Sequence, residues 1–216
     1  MKLNTVAVMA GTPVDTRMGM DFLESRGIET KGFPTANNPV EQTRFQTSST
    51  EEREAVISGL LEEIKADGIN KVFVYCNSLS ATVDFPRLAA VHDIKIVTPL
   101  DVYSLIAPRY SLIGVMAANN QSLAGIERVM LAANPSMIMI GHACLKIINE
   151  IEKGLEPSEI IRINGIDDLA KSFEKCGTEI LVLGCTHHPY LKKEIEKITS
   201  LEIVDPAEEM LKLLVG

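Results

Sequence analysis

Gly68-Ile69-Asn70-Lys71-Val72-Phe73-Val74-Tyr75-Cys76-Asn77 and Gly177-Thr178-Glu179-Ile180-Leu181-Val182-Leu183-Gly184-Cys185-Thr186 read as two copies of one segment. In each, a glycine ends a helical stretch and an apolar run follows. A cysteine then stands eight residues after the glycine, before a small polar residue. Glycine marks such an end because it enters the left-handed conformation without a Cβ clash. The cysteines lie 109 residues apart (Cys76 to Cys185). Working outward, Val6-Ala7-Val8-Met9-Ala10 resembles Ile113-Gly114-Val115-Met116-Ala117, and Ile96-Val97-Thr98-Pro99 resembles Ile203-Val204-Asp205-Pro206. Both of these matches are offset by 107 residues. Three matches in order, at an offset of almost half of 216 residues, predict a duplicated chain. The expected halves are 1–98 and 99–206, with a terminal helix at 207–216.

The pattern alternates short apolar strands with amphipathic helices. Strands are expected at Thr5–Met9, Lys71–Tyr75, Ile94–Val97, Leu112–Met116, Met137–Ile140, Ile180–Leu183 and Glu202–Val204. Continuous apolar runs of this kind suit a parallel sheet covered on both faces. The clearest helix is Glu51–Ala66, with an apolar stripe of Val56, Ile57, Leu60, Leu61 and Ile64, and with Ser49 and Glu52 at capping-box spacing. Further helices are expected at Asp15–Ser25, Asn120–Ala132, Cys144–Lys153, Asp167–Lys175, Tyr190–Ile198 and Ala207–Leu214. The fold class is therefore α/β, as two similar doubly wound parallel-sheet halves related by pseudo-two-fold symmetry. Gly32–Ser49 is polar, carries few apolar residues, and reads as a long loop, either a lid or a surface excursion.

Composition narrows the function. Hydrophobic residues make up 46% and charged residues 23%, which is ordinary for a globular chain. Asp and Glu outnumber Lys and Arg by 29 to 21, and no basic run stands out, so a nucleic-acid surface is not expected. Tryptophan is absent and aromatic residues are 5%, which argues against a base-stacking platform. No apolar run approaches the length of a membrane span. Val6–Ala10 is followed at once by Gly11, Thr12, Pro13 and Asp15, unlike a secretory leader, so a cytoplasmic protein is expected. Cys76, Cys144, Cys176 and Cys185 form no CxxC pair and are expected as free thiols in a reducing compartment.

The duplication has a chemical consequence. Ligands of open α/β sheets bind beyond the carboxyl ends of the strands. Cys76 and Cys185 each fall at such an end, near the start of a helix, where backbone N–H groups and the dipole are expected to lower a thiol pKa. Two thiols on opposite sides of one carbon suit stereoinversion: one removes a proton from one face and the other delivers a proton to the opposite face.

Val74-Tyr75-Cys76-Asn77-Ser78-Leu79-Ser80-Ala81 and Leu183-Gly184-Cys185-Thr186-His187-His188-Pro189 are similar to the two cysteine motifs of the aspartate/glutamate racemase family, which works without pyridoxal phosphate. The resemblance implies Cys76 and Cys185 as the two acid/base residues and His187 as an assistant at the second. It also implies Asn77, Ser78 and Thr186 as donors to the α-carboxylate or amino group. An amino-acid substrate is implied, with no metal and no organic cofactor. Three departures leave the substrate side chain open between aspartate, glutamate, another amino acid and a hydantoin-like ring. Where glutamate racemases carry Asp-Ser-Gly after the first strand, this chain has Ala10-Gly11-Thr12, with Thr12 or Asp15 as replacements for the acid. Where they carry threonines after the fourth strand, it has Ala118, Asn119 and Asn120; His188 replaces a tyrosine.

Each candidate has a plainer reading. Thr12, Asn119 and Asn120 could bind substrate or simply cap helices. Arg44, in the polar stretch, could reach a distal carboxylate or be solvated. Cys144 and Cys176 read as core packing. His187 and His188 beside Cys185 do not form a usual zinc spacing, and no metal site is expected. A related isomerase such as a hydantoin racemase remains an alternative, as does a non-catalytic two-lobed binding protein. A homodimer is the default expectation for a soluble enzyme.

Overall fold

The computed structural model describes residues 5–216, and the chain divides into two compact units. The first comprises Met1–Asp101 with Glu209–Gly216, and the second Val102–Glu208. The first carries β1 (Val6–Ala10), α1 (Pro13–Glu24), β2 (Thr30–Pro34), α2 (Pro39–Thr47), α3 (Thr50–Ala66), β3 (Lys71–Val74), α4 (Asn77–Thr82), α5 (Phe85–His92) and β4 (Lys95–Val97). The chain crosses to the second unit within α6 (Pro99–Ile106). There follow β5 (Leu112–Ala117), α7 (Asn120–Ala133), β6 (Ile138–Ala143), α8 (Leu145–Glu152), α9 (Pro157–Ile163), α10 (Ile166–Cys176), β7 (Ile180–Gly184), α11 (Lys192–Ile195) and β8 (Glu202–Val204). The chain crosses back within α12 (Pro206–Val215).

Each unit is one four-stranded parallel sheet, ordered β2-β1-β3-β4 in the first and β6-β5-β7-β8 in the second. The repeat is preserved down to register. Met9 pairs with Val74 and Met116 with Leu183; Val72 pairs with Ile96 and Leu181 with Ile203. Gly68 and Gly177, which open the two copies, sit at φ +77° and +80°, as a helix stop requires. The core strands are buried because helices cover the sheets: α1, for example, lays Phe22 on Phe73 at 6.0 Å between ring centroids.

Helix α3 shows how the sequence sets local structure. Ser49 and Glu52 form the reciprocal capping box. Ile57, Leu61 and Ile64 are fully buried, whereas Val56 is exposed at the edge of the stripe. Truncating any of the three buried side chains to alanine is expected to cost about 2–5 kcal/mol.

Three expectations are corrected. Gly32–Ser49 is not a long loop: it holds most of β2 and all of α2. β2 is an edge strand in which only Phe33 is buried, so it lacks an apolar run. α2 has almost no apolar face and is fixed by its cap, with Asn38 Oδ1 accepting from Val40 and Glu41 N–H at 3.1 and 3.0 Å. Tyr190–Ile198 is not one helix: a 3-10 turn over His188–Leu191, with Pro189 in its first turn, precedes the short α11. Cys176 is not core, because the last residue of α10 is exposed; Cys144 is half-buried.

Candidate active site

In the first unit, the carboxyl ends of β1 and β3 lie side by side, with Tyr75 N–H donating to the Met9 carbonyl at 2.8 Å. Cys76 follows β3 in extended conformation as the N-cap of α4, whose turn is tied back by Ser80 N–H and Oγ donating to the Cys76 carbonyl at 3.1 and 2.7 Å. The Cys76 sulfur is 3.4 Å from Ser78 Oγ and receives the backbone N–H groups of Leu79 and Gly11. Asn77 and Ser78 are buried beside it.

Thr12 is buried and caps α1, its Oγ1 accepting from Asp15 N–H at 3.4 Å. Asp15, one turn into α1, is buried with its charge acting on the Cys76 thiol, so the first unit does hold a carboxylate near that sulfur. Helix α2 brings two amides down on the same strand ends. Gln42 lies over Gly11, where an added Cβ would stand 1.8 Å from Nε2, and Gln46 Nε2 donates to Ser78 Oγ at 2.9 Å. Arg44, about 200° round the helix from Gln42, is exposed and acts on Glu41.

The expected lowering of the thiol pKa does not hold at Cys76. Burial pushes it from 9.0 up to about 11, and the Asp15 charge adds to the rise. The Ser78 hydroxyl and the two N–H groups oppose this but lose. A six-residue α4 supplies too little aligned dipole to change the balance.

The second unit builds a parallel arrangement from different chemistry. Cys185, Thr186 and His187 follow β7 and are all buried. The Cys185 sulfur lies 3.7 Å from His187 Nδ1, and His187 Nε2 faces Glu152 Oε1, at the end of α8, at 3.3 Å. A proton on Nε2 would leave Nδ1 a lone pair toward the thiol. Asn119 caps α7, accepting from Ser122 N–H and Oγ at 2.9 and 3.0 Å, and Asn120 is exposed on the first turn. His188 is completely buried; burial and the neighbouring His187 lower its pKa from 6.5 to about 3, against the Met116 carbonyl, which favours the charged form.

The sequence reading missed Gln42, Gln46 and Glu152. All three lie on helices that follow edge strands, and only the duplicated topology relates such a helix to a cysteine elsewhere in the chain. Among the described residues no helix is long and apolar enough to cross a membrane.

No protein-family model matches the chain. It is 25% identical over 157 residues to the glutamate racemase of Corynebacterium glutamicum, covering 71% of this chain and 57% of that one. It thus spans less than two thirds of the length of such curated relatives; for the glutamate racemase of Corynebacterium diphtheriae the share is 58%. Its fold superposes on the crystal structure of the Francisella tularensis glutamate racemase in complex with D-glutamate with a TM-score of 0.77. That alignment has 18% identity and covers all of this chain and 80% of the other. An aspartate racemase homologue from Pyrococcus horikoshii gives a TM-score of 0.72 at 15% identity, covering 99% of this chain and 100% of the other.

Proposed function

We propose that this chain belongs to the aspartate/glutamate racemase family and is a cofactor-independent amino-acid racemase acting on aspartate or glutamate. The observation that carries the reading is the repeated strand-end cysteine. Each unit presents one buried thiol at the same position of the same topology, with hydrogen-bonding neighbours around it. A binding lobe has no need of such a thiol; a two-base isomerase needs both.

In this reading a Cα–H bond breaks as one sulfur takes the proton, and a new Cα–H bond forms on the opposite face as the other sulfur gives one. The electron pair left at Cα is held between the two steps by the substrate's own carboxylate. Cys76, with its pKa near 11, keeps its proton at neutral pH and suits the donor. Cys185, with His187 and Glu152 in line behind it, suits the base, since imidazole can take the thiol proton and leave a thiolate. The roles exchange in the reverse direction. Asn77, Ser78, Thr186, Thr12, Asn119 and Asn120 supply the polar groups for the α-carboxylate and amino group. The two thiols perform both proton transfers, so neither an organic cofactor nor a metal enters the reaction.

The test is incubation in D2O with L-aspartate, L-glutamate and a panel of other amino acids, following loss of the α-proton signal by NMR with chiral analysis of the same samples. Exchange with inversion supports the reading and names the substrate. A panel that stays silent overturns it in favour of a binding protein.

A further inference from the structure

The two units use the same three-residue path to reach their cysteines, and the path in the first unit ends on a residue with no role assigned so far. In the second unit, Glu152 on the helix after edge strand β6 faces His187, which stands two residues after Cys185 and 3.7 Å from its sulfur. In the first unit, Gln46 on the helix after edge strand β2 donates to Ser78, which stands two residues after Cys76 and 3.4 Å from its sulfur. Gln46 and Glu152 are 106 residues apart, close to the 107 and 109 of the strand matches.

The chemistry along the two paths differs. Glutamate and histidine can hold or pass a proton. Glutamine and serine cannot titrate, but they can fix a direction. The amide nitrogen of Gln46 is only a donor, so Ser78 Oγ accepts there, and its single hydrogen is left for another acceptor. The sulfur at 3.4 Å is in place to be that acceptor.

We propose that Gln46 is a positioning residue for Cys76: by donating to Ser78 it turns the Ser78 hydroxyl hydrogen onto the Cys76 sulfur and so favours the thiolate each time that sulfur must act as the base. The inference rests on Cys76 being one of the two acid/base residues. Within the first unit the charged group facing the sulfur is Asp15, from α1, and it acts in the opposite sense; the Leu79 and Gly11 N–H groups act in the same sense as Ser78. A sulfur buried next to a carboxylate resists ionisation, and an oriented hydroxyl is a means of easing it without adding charge.

The experiment measures the pKa of the Cys76 thiol as the pH dependence of iodoacetamide alkylation, resolved by peptide mass spectrometry so that the other three cysteines do not interfere. Gln46→Leu removes the donor. Gln46→Glu keeps the size but replaces the donor with an acceptor that draws the Ser78 hydrogen away. Both are expected to raise the Cys76 value by about one pH unit, a tenfold loss of thiolate at pH values below it. In a Ser78→Ala background, adding Gln46→Leu is expected to change nothing further, because the path is already cut. An unchanged Cys76 titration in both Gln46 variants overturns the inference. So does an undiminished effect of Gln46→Leu in the Ser78→Ala background, since the amide then acts without Ser78. Failure of the two-cysteine reading on which the inference rests is separate and would show as racemisation that survives Cys76→Ser.

Discussion

Replacing Cys76 with serine is expected to change how stability depends on alkaline pH. The folded chain holds the Cys76 proton up to about pH 11, because burial and Asp15 disfavour the thiolate, while an unfolded thiol releases it near 9.0. Between these values the folded state binds more protons than the unfolded state, so the unfolding free energy falls as pH rises. The stabilisation is complete below pH 9 and is lost by about pH 11. Two pH units at 1.36 kcal/mol each give a loss of about 3 kcal/mol attributable to this one group. Serine does not titrate in that range. Urea unfolding at pH 8 and at pH 10.5, for the wild type and Cys76→Ser, isolates the contribution, because the lysines, tyrosines and other cysteines are common to both. The wild type is expected to lose about 2 kcal/mol more than the variant over this interval. Parallel losses in the two proteins would refute the assignment of a strongly raised thiol.

His188 gives the acid counterpart. Its pKa of about 3 means that the unfolded chain binds a proton below pH 6.5 that the folded chain refuses, so stability is lost as pH falls from 6.5 toward 3. His188→Gln is expected to flatten that loss by up to about 5 kcal/mol in acid urea titrations. Asp15→Asn removes a charge without changing shape and is expected to lower the Cys76 pKa by about one pH unit, leaving it above 9 because burial remains the larger cause; site-resolved alkylation reads this directly. Glu152→Gln keeps a hydrogen-bonding group at His187 Nε2 but removes the charge, and is expected to lower kcat roughly 10²-fold with little change in melting temperature.

Much of this molecule is legible in its sequence because it is written twice. The inner strands carry continuous apolar runs, since a parallel sheet buries both faces, and the repeated segments mark corresponding strands, which the structure pairs in the same way in both units. The edge strand β2 escaped because Thr30-Lys31-Gly32-Phe33-Pro34 buries one side chain. Its signal lies in the repeat: Gly32 pairs with Val8 as Gly141 pairs with Val115, and a Cβ on either glycine would strike the helix above, at Thr16 in one case and Leu123 in the other. Helix α2 escaped because its register comes from a cap rather than from an apolar stripe. Asn38-Pro39, a good N-cap followed by proline in the first turn, was its readable mark.

The site divides in the same way. Cys76, Ser78, Cys185 and His187 were readable because strand ends and motifs are local in sequence. Gln46 and Glu152 were not, because each sits 32 or more residues from the side chain it orients, on a helix face that looks like ordinary polar surface. The expected low thiol pKa failed at Cys76 for a related reason. A helix start can be seen in the sequence, but the depth of burial and the approach of Asp15 from another helix cannot.

The most direct measurement follows deuterium during the first few per cent of racemisation in D2O, starting from the protiated L-amino acid that the panel identifies. Two thiols on opposite faces predict deuterium in the newly formed D product and none in the recovered L substrate. Deuterium in recovered substrate at the rate of product formation, or product that keeps the substrate's own proton, would point to a single base working on both faces and contradict the two-cysteine mechanism.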